Sequence, residues 1–460
     1  MTTRQLKPAT PRAARRTTQA RTAAKTSAEP ALTHEASHAF GDAQIDRYRL
    51  ANGLTLLLLN DASAPVVSYS TWYRVGSRHE KPGKTGLAHF FEHLMFNETE
   101  HLEAGEFDRK LEESGAESNA ATWFDWTYYY EALPKESLGL AVKLESDRMA
   151  HLVLRKPQVE SEREVVSNER RFRVDDDVEG AANEELYKLA FTKHPYHWPT
   201  IGWMKDIEGY TPADCRAFYK TYYAPNNATV VVVGDFAKAD VLAKVKRAYA
   251  PLATAKIPTE ETRREPMQKK ERRLVLKKPT PTEKMLIGYR GPALGDADHA
   301  PLSLLCEVLF AGRASRLYKK MVTELELVSD LRGWVSTFRD PGLFEMYFTM
   351  REGHTTAEVS SVLEVELARV RDELVSETEL DRAKARQELS TLQGLETASG
   401  KAEQIGFYET VLGDPAGVMR RLDALRAVTA EQVRAVAKST LVKESRTVVI
   451  VLPNGGSEAS

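Results

Sequence analysis

Short apolar runs bounded by turn residues alternate along this chain with segments whose apolar positions recur every three or four residues. YRLANGLTLLLL reads as a hairpin turning at Asn52-Gly53, and Val66 to Arg74 as a further strand. GLAHFFEHLMF, from Gly86 to Phe96, is apolar on most sides, as a buried helix is. AGEFDRKLEESG predicts a helix closed by Gly115. SNAAT and WTYYYEAL read as a hairpin with an aromatic face (Trp123, Trp126, Tyr128, Tyr130). Lys135 to about Leu154 has helical period, Pro157 opens the next helix, and another starts near Thr211 before the strand TVVVVGDF.

The second half echoes the first. Thr229-Val-Val-Val-Val matches Thr447-Val-Val-Ile-Val at an offset of 218, and TPADCRAFYK (211–220) matches TAEQVRAVAK (429–438) at the same offset. Earlier the offset is 215: WYRVG meets IGYRG, and HFFEHLMF meets LLCEVLFA. The pattern predicts an α+β chain made of two copies of one unit of about 210 residues. The stretch from 256 to 273 is charged, contains proline and is poor in apolar residues, so it is the expected linker. This gives a first domain over 41–255 and a second over 274–455.

Composition narrows the class. With 460 residues, 42% of them hydrophobic, and a net charge of -2, the chain can bury ample cores and shows no nucleic-acid signature. Two cysteines, Cys215 and Cys306, make no disulfide framework, and no apolar run reaches the roughly 20 residues of a membrane span. Residues 1–40 differ: seven Arg or Lys precede the first acidic residue, Glu29, without the apolar core of a secretory signal. They are expected to form a disordered basic tail, with a cytoplasmic location favoured and an organellar matrix left open.

The chemistry concentrates in GLAHFFEHLMF. On a helix His89 and His93 stand one turn apart on one face, at a spacing that suits a single Zn²⁺. Glu92 lies beside that face, where it can take a proton from water without being a ligand. A tetrahedral catalytic zinc wants a third protein ligand. ESEREVVSNERR offers Glu162 and Glu169, seven apart on one helical face, although an isolated pair of glutamates more often marks a solvated surface.

H-x-x-E-H followed about 75 residues later by E-R-x-V-V-x-x-E resembles the pitrilysin and mitochondrial processing peptidase family of zinc peptidases. The resemblance implies two homologous α/β-roll units, each an antiparallel sheet packed against helices. It implies Glu169 as third ligand and Glu162 as an auxiliary that orients a ligand or relays a proton. GAESNAATWFDWTYY (115–129) is similar to the family's peptide-pairing edge strand, which would set Asn119 and Ala120 along the scissile bond. Asp125 is a further candidate to orient a ligand histidine. At the repeat offsets His89 meets Leu304, His93 meets Val308 and Glu169 meets Gln387, while Glu92 meets Glu307, so the second copy keeps the fold without the ligands.

The expected activity is therefore zinc-dependent hydrolysis of peptides or unfolded segments, with Glu92 as general base. The alternatives are a non-catalytic structural subunit of the same fold, or a zinc hydrolase of another amide or ester. The resemblance also implies a chamber of four units, hence a second half-sized subunit as partner. In self-sufficient members an Arg and a Tyr of the second half reach the substrate carbonyl. Here Val322 and Ser329 stand in that register, which favours a heterodimer over a homodimer; the alternative is that Arg332 nearby substitutes.

Overall fold

The computed structural model describes residues 32–260 and 264–454. The first half runs β1 (Leu32–Phe40), β2 (Ala43–Leu50), β3 (Thr55–Asn60), β4 (Val66–Tyr73), α1 (Leu87–Leu94), α2 (Glu106–Glu113), β5 (Glu117–Thr122), β6 (Thr127–Pro134), α3 (Leu138–His151), α4 (Lys156–Arg170), α5 (Val178–Ala190), α6 (Met204–Glu208), α7 (Pro212–Tyr222), β7 (Ala228–Gly234) and α8 (Lys238–Tyr249). The second runs β8 (Arg272–Lys278), β9 (Lys284–Arg290), α9 (His299–Phe310), β10 (Val328–Val335), β11 (Leu343–Met350), α10 (Thr356–Asp372), α11 (Glu377–Gly394), α12 (Ala398–Leu412), α13 (Gly417–Ala427), α14 (Ala430–Thr440) and β12 (Arg446–Pro453).

The repeat is visible in the strand order. The first sheet is β1-β2-β3-β7-β4-β6-β5 and the second β10-β11-β9-β12-β8, so β3-β7-β4-β6-β5 reappears as β8-β12-β9-β11-β10. Each sheet is antiparallel apart from one parallel pair, β3 with β7 and β8 with β12. Thr211 and Thr429, matched by offset, both cap their helices through the side-chain oxygen.

The strands read as unbroken apolar runs because both faces are covered. Leu56, Leu58, Val230 and Val232 face a core shared with α1, α3, α7 and α8. Leu57, Leu59, Val231, Val233 and Trp72 face the opposite way, onto Ala402, Ile405, Tyr408 and Val411 of α12, a helix of the second half. The exchange is mutual: Ala182, Leu186 and Ala190 of α5 cover Leu286, Val449 and Val451 of the second sheet. Gly406 lets α12 lie this close, since a Cβ there would sit 2.0 Å from Trp72 Nε1. At each crossing a buried carboxylate is also satisfied. Arg47 and Arg74 donate to Glu409 of α12 (2.6 and 3.0 Å), and Tyr187 of α5 donates to Glu345 of β11 (2.6 Å).

Two boundaries differ from expectation. Leu32–Phe40, assigned to the tail, is β1 and pairs along β2, with Glu35 bonded to Arg47 and Arg49. Its sequence is polar because it is an edge strand with one solvated face. The remainder of the expected tail, residues 1–31, lies outside the described residues. The expected linker is docked where it is described. Glu265 accepts from the backbone N–H groups of Thr192, Lys193 and His194 (2.8, 2.7 and 3.0 Å), and Arg272 and Arg273 already belong to β8. Among the described residues no helix is long and apolar enough to cross a membrane.

Candidate metal centre

Helix α1 is fixed at its start by a buried carboxylate and a left-handed glycine. Glu80 accepts from Gly86 N and Ala88 N, each at 2.7 Å, which satisfies donors that a helix N-terminus leaves unpaired. Gly86 has φ 92°, and a Cβ there would lie 2.4 Å from Ile201 O and 2.7 Å from the Tyr210 hydroxyl. Gly86→Ala should therefore cost roughly 2 kcal/mol or more through backbone strain and overlap together. A lowered thermal midpoint would register it. Phe90, Phe91 and Leu94 are buried in the first core, which turns His89 and His93 toward α4.

There Glu169 meets them. His93 Nε2 lies 3.2 Å and His89 Nε2 3.5 Å from the same oxygen, Glu169 Oε2. Metal–ligand bonds of about 2.0–2.1 Å in a tetrahedron give edges of about 3.3 Å between ligand atoms. Glu169 Oε2 is buried and receives no well-aligned hydrogen bond, while its other oxygen is held by Arg173 Nε at 2.9 Å. Two imidazole nitrogens and one carboxylate oxygen, all within 4.8 Å of one another, are a donor set that fits zinc. Arg173 sits in a π-helical turn, Arg171–Asp175, that continues α4 just past Glu169.

The neighbours orient these groups. His93 Nδ1 lies 3.0 Å from Glu162 Oε1, and Asn97 Nδ2 donates to Glu162 Oε2 at 3.2 Å. Glu162 thus turns the His93 ring so that Nε2 faces Glu169. Burial lowers the His89 imidazole to about 4. Burial also opposes charge on His93, but Glu162 and Glu169 outweigh it and hold that imidazole up at about 9. The Glu92 carboxyl sits above its ordinary range because of burial, against contact with the Thr122 hydroxyl and the attraction of His93.

Asn119 and Ala120 lie on β5, the outer strand of the first sheet, which packs against α1. Ala120 N donates to Asn119 Oδ1 at 2.8 Å. Asp125 does not reach a histidine of this centre. It is taken by Arg78 Nη1 (2.8 Å), the Tyr196 hydroxyl (2.9 Å) and the backbone N–H of Arg339 (3.0 Å), and so joins the two halves. Sequence reasoning missed Glu80 and the contact of Asn97, which depend on the loops flanking α1, and Arg173, four residues past Glu169 on the continuation of α4.

The second copy shows the same pair of helices with other residues. Leu304 and Val308 are buried in the second core, and Gln387 of α11 donates to Glu307 of α9 at 2.7 Å. Gln387, matched to Glu169 by offset, thus lies beside the helix that corresponds to α1.

Comparison with known proteins places the fold and the family. Residues 55–202 match the family described as insulinase (peptidase family M16), and residues 209–387 the peptidase M16 inactive domain. The chain is 33% identical over 368 residues to zinc protease PqqE of Helicobacter pylori, covering 78% of this chain and 82% of that one. The chain belongs to the M16 peptidase family. It is also 24% identical over 415 residues to the uncharacterized zinc protease YmxG of Bacillus subtilis, covering 89% of this chain and 99% of that one. A crystal structure of a Helicobacter pylori protease superposes with a TM-score of 0.86 at 29% identity, covering 89% of this chain and all of that one. The periplasmic protease PqqL of Escherichia coli shares the fold, with a TM-score of 0.74 at 20% identity; this chain covers 48% of that chain, and 91% of this chain is matched.

Proposed function

We propose that this chain is a zinc-dependent endopeptidase acting on peptides or unfolded polypeptide segments. The observation that carries the reading is the convergence of His89 Nε2, His93 Nε2 and Glu169 Oε2, with Glu92 on the same helix. Zinc held by these three would supply a Lewis acid and bring the pKa of water near neutrality. Glu92 accepts the proton from the attacking water and returns it to the leaving amine. Its raised pKa suits both steps, since the carboxylate is a stronger base than one in open solvent. Glu162 acts through His93, as a positioning residue. The edge of β5 offers backbone groups to an added strand, with Asn119 and Ala120 along the scissile bond. An incoming peptide displaces the Asn119 side chain from Ala120 N.

Glu162→Gln should keep the metal and slow turnover by about tenfold to a hundredfold, because it weakens the hold on one ligand without removing any. Steady-state kinetics beside metal analysis checks this. Loss of zinc with Glu162→Gln, and retention with Glu169→Gln, would mean the two roles are reversed.

The working enzyme is a pair of half-sized chains, with a heterodimer favoured. Val322 packs on the second core, and Ser329 on β10 donates to Thr349 O (3.3 Å), so neither presents a charge or phenol for a developing oxyanion. Arg332 is committed to an ion pair with Glu179 and lies over Tyr347. The length of PqqL, about twice that of this chain, supports a four-unit enclosure. The test is digestion of an unfolded protein by the zinc-loaded chain, alone and mixed with a partner half-chain. Chelator-sensitive cleavage that rises strongly in the mixture is expected. Full activity from the lone chain would overturn the pairing, and no cleavage in either sample would overturn the peptidase reading.

A further inference from the structure

The loop that leaves α1 carries a second set of ligand-type side chains. Asp147 and His151 stand one turn apart on α3, and His101 reaches them from the loop; one ligand atom from each lies within 4.8 Å of the others. Both rings point the same nitrogen at the same oxygen: His101 Nδ1 lies 2.5 Å and His151 Nδ1 2.9 Å from Asp147 Oδ1. The other oxygen, Oδ2, accepts from the Thr99 hydroxyl at 2.5 Å, so the carboxylate is fixed and offers Oδ1 to the rings. The two rings meet edge to face with centroids 4.6 Å apart.

The backbone under this cluster is held as well. Thr99 bridges to Leu152, Glu100 N donates to His151 O (2.9 Å), and Val153 N donates to Glu98 O (3.0 Å). The three side chains therefore belong to one rigid junction between loop and helix end. Two imidazoles are brought to one carboxylate oxygen. Two imidazole nitrogens and one carboxylate oxygen, open to solvent on the remaining side, form a donor set for a borderline divalent ion.

We propose that His101, Asp147 and His151 form a second, surface site for a divalent transition-metal ion of the zinc class, separate from the centre of His89, His93 and Glu169. A tetrahedral edge of about 3.3 Å requires the rings to draw back from the carboxylate, by roughly 0.8 Å at His101 and roughly 0.4 Å at His151. The side chains allow this, being 59% exposed at His101 and 37% at His151. Exposure also makes the ion more weakly held and more readily exchanged than one at the half-buried centre. Its occupancy pins the loop that carries Asn97, the donor to Glu162.

The test uses the full chain, free of any histidine tag, stripped with chelator and titrated with Zn²⁺ and separately with Co²⁺. Wild type should bind two ions, and H101A/H151A one. The second equivalent of zinc should raise the thermal midpoint of wild type and leave that of H101A/H151A unchanged. H89A/H93A should also bind one ion, which is lost when H101A/H151A is added. If H89A/H93A does not fold, the comparison of wild type with H101A/H151A decides. Saturation of wild type at one ion, a second ion bound only in the millimolar range, or two ions retained by H101A/H151A would overturn the site. H89A/H93A retaining both ions would instead count against the first centre and leave this one standing.

Discussion

Glu92→Gln protein should retain its zinc and lose peptide hydrolysis by about two to four orders of magnitude, the usual contribution of a positioned general base. The amide preserves the size of the side chain and leaves His89, His93 and Glu169 converged, so the metal has no reason to leave. What disappears is the basic oxygen. Its strength comes from burial where α1 packs on β5, which raises the carboxyl above its ordinary range. His93→Ala is the contrasting variant: it removes a ligand together with the hydrogen bond to Glu162, and should lose zinc and activity together. Metal content and single-turnover cleavage, measured on both variants, separate the two effects. Substantial activity left in Glu92→Gln would refute the assignment of the base.

A chain cut after residue 255 should fail to form a soluble, cooperatively folded monomer, even though the cut lies outside every helix and strand. Removing the second half uncovers Leu57, Leu59, Trp72, Val231 and Val233, the face that α12 covers. At roughly 1.5–3 kcal/mol for each large apolar side chain, that loss rivals the whole net stability of a domain, about 5–15 kcal/mol. Arg47 and Arg74 lose Glu409, and α5 is left with Leu186 and Ala182 facing water. Supplying residues 256–460 in trans should restore solubility and zinc binding, because each fragment carries the helix that the other needs. A lone 1–255 fragment that stays monomeric and unfolds cooperatively, without binding a hydrophobic dye, would sink this prediction.

The sequence by itself determined the repeat, the type of most elements of the first half and the helix that carries His89 and His93. Those follow from local rules: apolar period, threonine and proline at helix starts, glycine after helix ends. It also marked the site, because His89, Glu92 and His93 lie within one and a half turns, and helical geometry fixes their relation without tertiary knowledge. Resemblance added Glu169, and the structure brings that residue to the two histidines. Only the tertiary structure decided which element covers which face. The doubly apolar runs of β3 and β7 announce burial on both sides, but period cannot say that the second cover comes from α12, which lies in the other half of the chain. Residues read as charged tail or linker proved to be placed by partners that are distant in sequence, as Glu35 is by Arg47 and Arg49, and Glu265 by the 192–194 backbone. Asp125 was misread for the same reason: a carboxylate's role is set by the donors folded against it, here Arg78 of the first half and the Arg339 backbone, which reaches it only when the two halves close together.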